Sequence, residues 1–182
     1  MPPGATHESA QAIDPRCRVV YTDSDPLVLT RAQALIASAS GGTVSCVRGD
    51  IGDVDAIIAA VAPTLDLGQP VGVLLMSSLV HVPTTIAAAR SVASLMAMVP
   101  SGSHVVIYHL ASDLDPALPA AARQWNKTVP VPITLRSRDD VLALVAGLEV
   151  VAPGVVPVTE WRPDGVVPAA PVPVHGVVAR KP

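Results

Sequence analysis

The acid Asp23 ends a short apolar run, Val19-Val20-Tyr21-Thr22-Asp23, and is followed by Pro26 and a helical pattern. Such a run predicts a buried parallel strand whose carboxyl end presents Asp23 to a ligand. Doubly wound α/β folds hold a ribose at this position. We therefore expect Asp23 to bind a nucleoside-bearing cofactor.

His109 is a second candidate for chemistry, because it ends the apolar run Ser103–His109 and is followed by Ser112 and Asp113. A polar residue at the end of a strand in a doubly wound fold faces the ligand crevice more often than chance. We expect His109 either to line the mouth of the pocket, where it could be catalytic, or to be structural. No Ser-His-Asp or Cys-His arrangement is evident in the sequence.

Length and composition predict one domain spanning residues 1–182, since 182 residues of mass 18.6 kDa suffice for a full core. The net charge of −3 and the lack of a Lys/Arg run argue against a nucleic-acid partner. The apolar stretches are too short to span a bilayer, and the first residues do not resemble a signal peptide. Neither cysteine has metal-type spacing. We expect a cytoplasmic protein without a metal or membrane partner.

Alternating strand and helix patterns must position these residues. Each apolar run is followed by an amphipathic segment, which indicates parallel strands joined by crossover helices. Val71–Ser77 is continuously apolar, so we expect a central strand covered on both faces. The predicted strands are Val19–Asp23, Thr43–Val47, Val71–Ser77 and Ser103–His109, and the predicted helices are Pro26–Ser38, Asp53–Ala62 and Pro83–Val99, with a turn at Ser40–Gly42.

The last third of the chain has a different pattern. A short helix is predicted around Pro116–Trp125, and Ser137 is predicted to cap an apolar helix that ends at Gly147. Leu148–Val158 and Val172–Ala179 then read as two strands. We expect them to form an antiparallel pair that closes one edge of the sheet.

Several segments resemble, in order, the S-adenosyl methyltransferase family of high-GC bacteria. The most specific are the stretch from Gly147 to Asp164 and the C-terminal stretch Gly176-Val177-Val178-Ala179-Arg180-Lys181. The resemblance implies a class I methyltransferase fold, which is a Rossmann-like doubly wound α/β fold with a mostly parallel sheet. It also implies S-adenosylmethionine as the cofactor and a small-molecule methyl acceptor of unknown type.

The resemblance assigns cofactor contacts to the ends of two strands. Asp23, with Ser24 beside it, matches the acid that binds both ribose hydroxyls, and a carboxylate offers two oxygens to two donors. Asp50 and Ile51 match the pair that flanks the adenine, with Asp50 accepting from the exocyclic amine. The alternative for Asp50 is an exposed loop acid or a cap of the next helix.

The resemblance also places Met76, Ser77 and His81 beside the methyl group and the acceptor. His81 could orient or deprotonate the acceptor, although it stands one place later than the family's histidine; the alternative is an ordinary loop histidine. His7 and Glu8 match a His-Glu pair close to the cofactor, and the alternative for them is a cap at the start of a helix.

The family pattern includes an upstream strand and a Gly-rich loop that have no match in this sequence. We therefore expect a sheet lacking the family's first strand, as in a truncated or degenerate copy, with two strand edges left unpaired. Such edges would pair with a second copy of the chain or with a completing chain.

Three functions follow from these patterns. The first is methyl transfer by in-line displacement, in which proximity and orientation supply most of the rate. The second is a non-catalytic relative that binds a partner or itself through its strand edges. The third is a nicotinamide-dependent oxidoreductase, since an acid after the second strand also binds the ribose of NAD.

Overall fold

The computed structural model describes residues 5–36, 43–163, 165 and 172–182. The chain groups into two units, Met1–Leu67 and Gly68–Pro182, and each is described by itself. The single domain expected from the length of the chain stays a prediction. No helix within the described ranges is long and apolar enough to cross a membrane.

The first unit alternates helices and strands. Its described elements are α1 (Thr6–Ile13), β1 (Val19–Asp23), α2 (Pro26–Ile36), β2 (Val44–Arg48) and α3 (Val54–Val61). The strands β1 and β2 are parallel, with Val19 opposite Val44 and Asp23 opposite Arg48. The helix α2 begins where predicted, because Asp25 Oδ1 accepts from the N–H of Leu27 at 2.8 Å and caps it. The predicted last residues of α2 and the predicted turn Ser40–Gly42 lie outside the described residues.

The strand β1 corrects one expectation. It was predicted to be buried, but Val19, Val20, Tyr21 and Asp23 are only half-buried and Thr22 is exposed. The physical reason is its pairing, because β2 is the neighbour of β1 within the described part of the chain. Among the described strands, β1 thus has one unpaired edge, which leaves its side chains less covered.

The second unit contains the larger sheet. Its described elements are β3 (Gly72–Met76), a 3-10 helix (Ser78–His81), α4 (Thr85–Ala97), β4 (His104–Leu110), α5 (Leu118–Trp125), α6 (Arg138–Ala143), β5 (Glu149–Val150), β6 (Val156–Pro157), a second 3-10 helix (Val158–Glu160) and β7 (Val174–Arg180). The order of strands is β3-β4-β7-β5, and β6 also pairs with β7. The pair β3–β4 is parallel, whereas β7 runs antiparallel to β4, β5 and β6.

The strand β3 corrects a second expectation. It was predicted to be central and covered on both faces, but it lies at the end of its sheet with β4 as its neighbour. Leu75 is buried, whereas Leu74 is 44% exposed and Met76 is 55% exposed. One face of β3 therefore packs on the core, and the other does not.

The core of the second unit lies around β4 and β7. Val105 and Ile107 of β4 are fully buried, and α4 packs its buried Ala88 and Val92 on the core. The predicted C-terminal antiparallel pairing is confirmed. However, the predicted strand Leu148–Val158 is broken into β5 and β6 by a turn, and β7 lies inside the sheet between β4 and β5.

Candidate functional site

Asp23 lies at the carboxyl end of β1, where its backbone carbonyl and one carboxylate oxygen accept hydrogen bonds from backbone N–H groups. Its carbonyl accepts from the N–H of Gly49 at 3.0 Å, and its Oδ1 accepts from the N–H of Asp25 at 2.8 Å. Its Oδ2 has no hydrogen-bond partner within the described residues. The Asp25 contact fixes the carboxylate, while Oδ2 can accept from a ligand. Ser24, which follows, is exposed.

Asp50 follows β2 at the same edge, since parallel strands end together. It is exposed, and its Oδ1 accepts from the N–H of Gly52 at 2.8 Å, whereas the cap of α3 is Asp53, whose carboxylate accepts from the N–H of Ala56. Asp50 is therefore not the cap of the next helix. Beside it, Ile51 offers a half-buried apolar surface.

Gly49 is a residue of this edge that the sequence reasoning missed. A Cβ atom at this position would lie 2.8 Å from Cγ1 of Ile57 and 3.3 Å from Cβ of Thr22. Contacts this short require a neighbour to move, so glycine lets β2 turn toward Asp50 against α3. The only signal in the sequence is the Arg-Gly-Asp stretch that ends the apolar run.

His7 and Glu8 lie on α1, in agreement with the alternative that this pair stands at the start of a helix. The carboxylate of Glu8 accepts from the N–H of Ala5 at 2.9 Å, as a helix cap does. His7 is buried, and the hydroxyl of Tyr21 lies 3.1 Å from its backbone nitrogen and 3.0 Å from Nδ1. Because that oxygen accepts the His7 N–H, its own proton can go to Nδ1, which leaves the imidazole proton on Nε2. Nε2 is buried without a partner among the described residues.

In the second unit, Met76 ends β3 and Ser77 follows it. Ser77 has a φ of 62°, in the left-handed region that costs a non-glycine residue about 1 kcal/mol or more. Its N–H still donates to the carbonyl of Tyr108 at 2.9 Å, so the strand pairing continues through it. Its hydroxyl has no partner in the described part of the chain. A strained residue with an uncommitted hydroxyl at a strand end is typical of a ligand site.

The turn after Ser77 is held by the segment around Arg136. The carbonyls of Leu79 and Val82 accept from Nη1 and Nη2 of Arg136 at 2.8 and 2.7 Å. The carbonyl of Val80 accepts from the N–H of Thr134 at 2.7 Å. Leu79 and Val80 are themselves buried. The 3-10 helix is therefore fixed to the core of the second unit.

The two histidines predicted as catalytic differ in their surroundings. His81 is exposed, and its Nδ1 lies 3.3 Å from the carbonyl of Pro132. His109 is fully buried, with Nδ1 2.9 Å from the carbonyl of Leu110 and Nε2 2.6 Å from Nη1 of Arg136. Burial lowers the pKa of His109, and the nearby Arg136 cation lowers it further. The expectation that His109 lines a pocket mouth is wrong, because its ring is enclosed and both nitrogens are engaged.

Arg136 is fully buried and His175 is almost fully buried. Nε2 of His175 lies 2.7 Å from Oδ1 of Asp113, whose Oδ2 accepts from the N–H of Arg138 at 2.8 Å. Burial alone would raise the pKa of Asp113, but these two hydrogen bonds bring it below its ordinary value. Arg136 thus contacts His109 near the end of β4, and His175 connects the start of β7 to Asp113. No group of three or more His, Cys, Asp or Glu within the described ranges is placed to hold a metal ion.

Comparison with known proteins shows which family the chain matches. The profile of a family described as S-adenosyl methyltransferase matches residues 3–182. The chain is similar to a DUF574 family protein from Streptomyces avermitilis, with 33% identity and a TM-score of 0.89 over 99% of this chain and 72% of that one. It is also similar to a candidate methyltransferase from Thermobifida fusca, with 29% identity and a TM-score of 0.83 over 98% and 69% of the two chains. A search of curated proteins finds no significant match.

A more distant structure extends the likeness in fold. A S-adenosylmethionine-dependent methyltransferase from Methanosarcina mazei is 10% identical, with a TM-score of 0.64 over 95% of this chain and 86% of that one. At this identity only the fold is comparable. The Rossmann-like α/β class predicted from the sequence is confirmed.

Proposed function

Because the chain belongs to the S-adenosyl methyltransferase family, and S-adenosylmethionine is therefore its cofactor, we propose that it methylates an oxygen, nitrogen or carbon nucleophile of a small molecule. When bound, S-adenosylmethionine supplies a methyl group on a sulfonium sulfur, which keeps the electron pair of the broken carbon–sulfur bond as the acceptor forms its new bond. The mild charge and the lack of a basic run support a small molecule over a nucleic acid. Membership of this family argues against the third function, a nicotinamide-dependent oxidoreductase.

The observation that carries this proposal is the pair of acids at one edge of the β1–β2 sheet. Asp23 ends β1 and Asp50 follows the adjacent parallel strand β2; each carboxylate has one oxygen held by a backbone N–H and the other without a partner among the described residues. Held carboxylates lose little entropy when they accept further hydrogen bonds. Asp23, next to Ser24, would hold the ribose hydroxyls, and Asp50 would accept from the adenine amine with Ile51 against the ring. These two acceptors therefore fit the hydroxyl and amine donors of a nucleoside.

From the family, we further propose that Met76, Ser77 and His81 act near the methyl and the acceptor. Ser77 offers, from a strained position, a hydroxyl without a partner among the described residues, and Met76 offers an exposed apolar side chain. His81 is the histidine with an exposed ring, so it is the one we propose to orient or deprotonate the acceptor. His109 has no free nitrogen for such a step. His7 and Glu8 are proposed to act near the cofactor through the buried Nε2 of His7 and the start of α1.

Calorimetric titration with S-adenosylmethionine tests the proposal. Asp23→Asn and Asp50→Asn each replace a charged acceptor by a neutral one, so we expect affinity to fall by about tenfold or more. Asp55→Asn, an exposed acid on α3, is the matched control and should bind as the wild type does. Equal affinity in all four proteins would contradict the assigned site.

A second candidate function is a non-catalytic relative that self-associates. It is favoured by β3, which has β4 as its neighbour within the described strands and exposes Leu74 and Met76. An unpaired apolar edge can pair with the same edge of a second copy. This reading predicts a dimer by light scattering and a dissociation constant for S-adenosylmethionine of about 1 mM or weaker.

Two substitutions separate the readings. Leu74→Lys puts a charge on β3 and should return a dimer to the monomer, whereas Ile86→Lys, at a more exposed position on α4, should not. A monomeric wild type with micromolar affinity for S-adenosylmethionine would support methyl transfer and remove the second candidate.

A further inference from the structure

The guanidinium of Arg136 is buried in an unusual way. Its side chain is fully buried, and it forms no ion pair with a carboxylate within the described residues. Its partners are two backbone carbonyls and one imidazole nitrogen, while its Nε is without a partner in the same part of the chain. Burying a cation among neutral acceptors costs free energy. The hydrogen bonds of Arg136 must therefore stabilise the fold enough to offset that cost.

Those contacts converge on the turn after β3. The carbonyl of Leu79 accepts from the N–H of Val82 at 3.1 Å, whereas the carbonyl of Val82 has no backbone donor among the described residues. Nη1 and Nη2 of Arg136 donate to these two carbonyls at 2.8 and 2.7 Å. One planar group thus grips the turn at two places, and a planar fork fixes orientation better than a point charge does.

His109 fixes Arg136 in turn. Because Nδ1 of His109 donates to the carbonyl of Leu110, the proton is on Nδ1 and the lone pair of Nε2 faces Nη1 of Arg136. His109 belongs to β4, so the guanidinium connects the centre of the sheet to the turn. A fully buried imidazole accepting from a fully buried cation leaves little freedom in either side chain.

We propose that Arg136, oriented by His109, is a positioning residue that sets the geometry of Ser77 and the Ser78–His81 turn. The proposal rests on the proposed function, in which Ser77 and His81 act beside the methyl and the acceptor. Arg136 itself is enclosed and contacts neither. Its effect passes through the carbonyls of Leu79 and Val82.

Hydrogen exchange tests the positioning without any ligand. Arg136→Met should raise amide exchange in residues 77–82 by about tenfold or more, because both carbonyl contacts are lost. Residues 19–25 of the first unit serve as the internal reference and should be unchanged. Arg123→Met, an exposed arginine on α5, is the matched control and should match the wild type. Equal protection of residues 77–82 in wild type and Arg136→Met would overturn the proposal.

Two further measurements separate positioning from general structural loss. In Arg136→Ala, guanidinium ion at millimolar concentration should restore the protection of residues 77–82, whereas ammonium ion should not, because only the planar fork can span both carbonyls. Failure of guanidinium to act better than ammonium would count against the role of the fork.

The ratio of affinities for S-adenosylmethionine and S-adenosylhomocysteine tests the link to the methyl group. Asp23→Asn should weaken both ligands equally, while Arg136→Met should change the ratio by about fivefold or more, since only the first ligand carries the methyl. If exchange increases but the ratio of affinities does not change, Arg136 positions the turn, but the turn does not act on the methyl group. Failure of the wild type to bind either ligand would reject the proposed function and leave the exchange result standing.

Discussion

Nη1 of Arg136 lies 2.6 Å from Nε2 of His109, and both side chains are fully buried. The hydrogen bond requires a neutral imidazole, because a protonated Nε2 would place a second proton and a second cation against the guanidinium. A residue predicted as a candidate catalyst from its place at a strand end is thus a fixed acceptor inside the core.

The first prediction concerns pH. Burial lowers the pKa of His109 in the folded protein below its ordinary value of 6.5, so the unfolded chain binds a proton at a pH where the folded one does not. Stability contributed by His109 is therefore complete above about pH 6.5 and is lost as the pH falls, by at most about 1.4 kcal/mol per pH unit. Urea unfolding between pH 7.5 and 5 should show this loss, and His109→Gln should show less of it. A pH profile identical in both proteins would refute the assignment.

The second prediction concerns the cap of α6. Oγ of Ser137 accepts from the N–H of Asp140 at 3.2 Å and donates to its Oδ2 at 2.7 Å, while Thr85 donates to Oδ1. Ser137→Ala should lower the free energy of unfolding by about 1 kcal/mol. It should also raise the pKa of Asp140, since the Ser137 hydrogen bonds keep that pKa below its ordinary value. Ser94→Ala, exposed within α4, is the control and should not destabilise.

The third prediction concerns Gly49. Gly49→Ala should cost about 1 to 3 kcal/mol, because its Cβ would lie 2.8 Å from Cγ1 of Ile57. Gly72→Ala is the matched control, since its nearest atom is 3.8 Å away. In an Ile57→Ala background, the cost of Gly49→Ala should shrink. Thermal unfolding of the four variants measures this, and equal costs in both backgrounds would exclude the clash as the cause.

The fourth prediction concerns Lys181. Its Nζ donates to the carbonyls of Met96 and Val99 at 2.8 and 2.7 Å, at the carboxyl end of α4. Lys181→Met should lower stability by about 1 to 2 kcal/mol, because the last carbonyls of the helix lose a cationic donor. Lys127→Met removes an exposed lysine and should leave denaturant unfolding unchanged. Similar midpoints for the two variants would show that the contact does not stabilise the helix.

Local patterns predicted the elements and several of their ends. Ser137 caps α6 as expected and Asp25 caps α2 in a similar way, because a cap is made between residues two or three apart in sequence. The start of α1 was only an alternative for His7 and Glu8, since most residues of this helix are polar and its cap uses Glu8 and the backbone of Ala5. The sequence predicted the strand-end positions of Asp23 and Asp50. It did not predict which carboxylate oxygen is engaged, because that depends on the turn that follows each acid.

By itself, the sequence determined the α/β class, the parallel pairing of β1 with β2 and the antiparallel pairing of the last strands, because periodicity and turn residues are local. Tertiary structure decided the burial of β1, the place of β3 at the end of its sheet and the enclosure of His109. Each depends on which strand or side chain arrives from far along the chain. Arg136 is 27 residues from His109 and 57 from Leu79. No local spacing encodes such contacts, and here they turn a strand-end histidine into a support for the turn after Ser77.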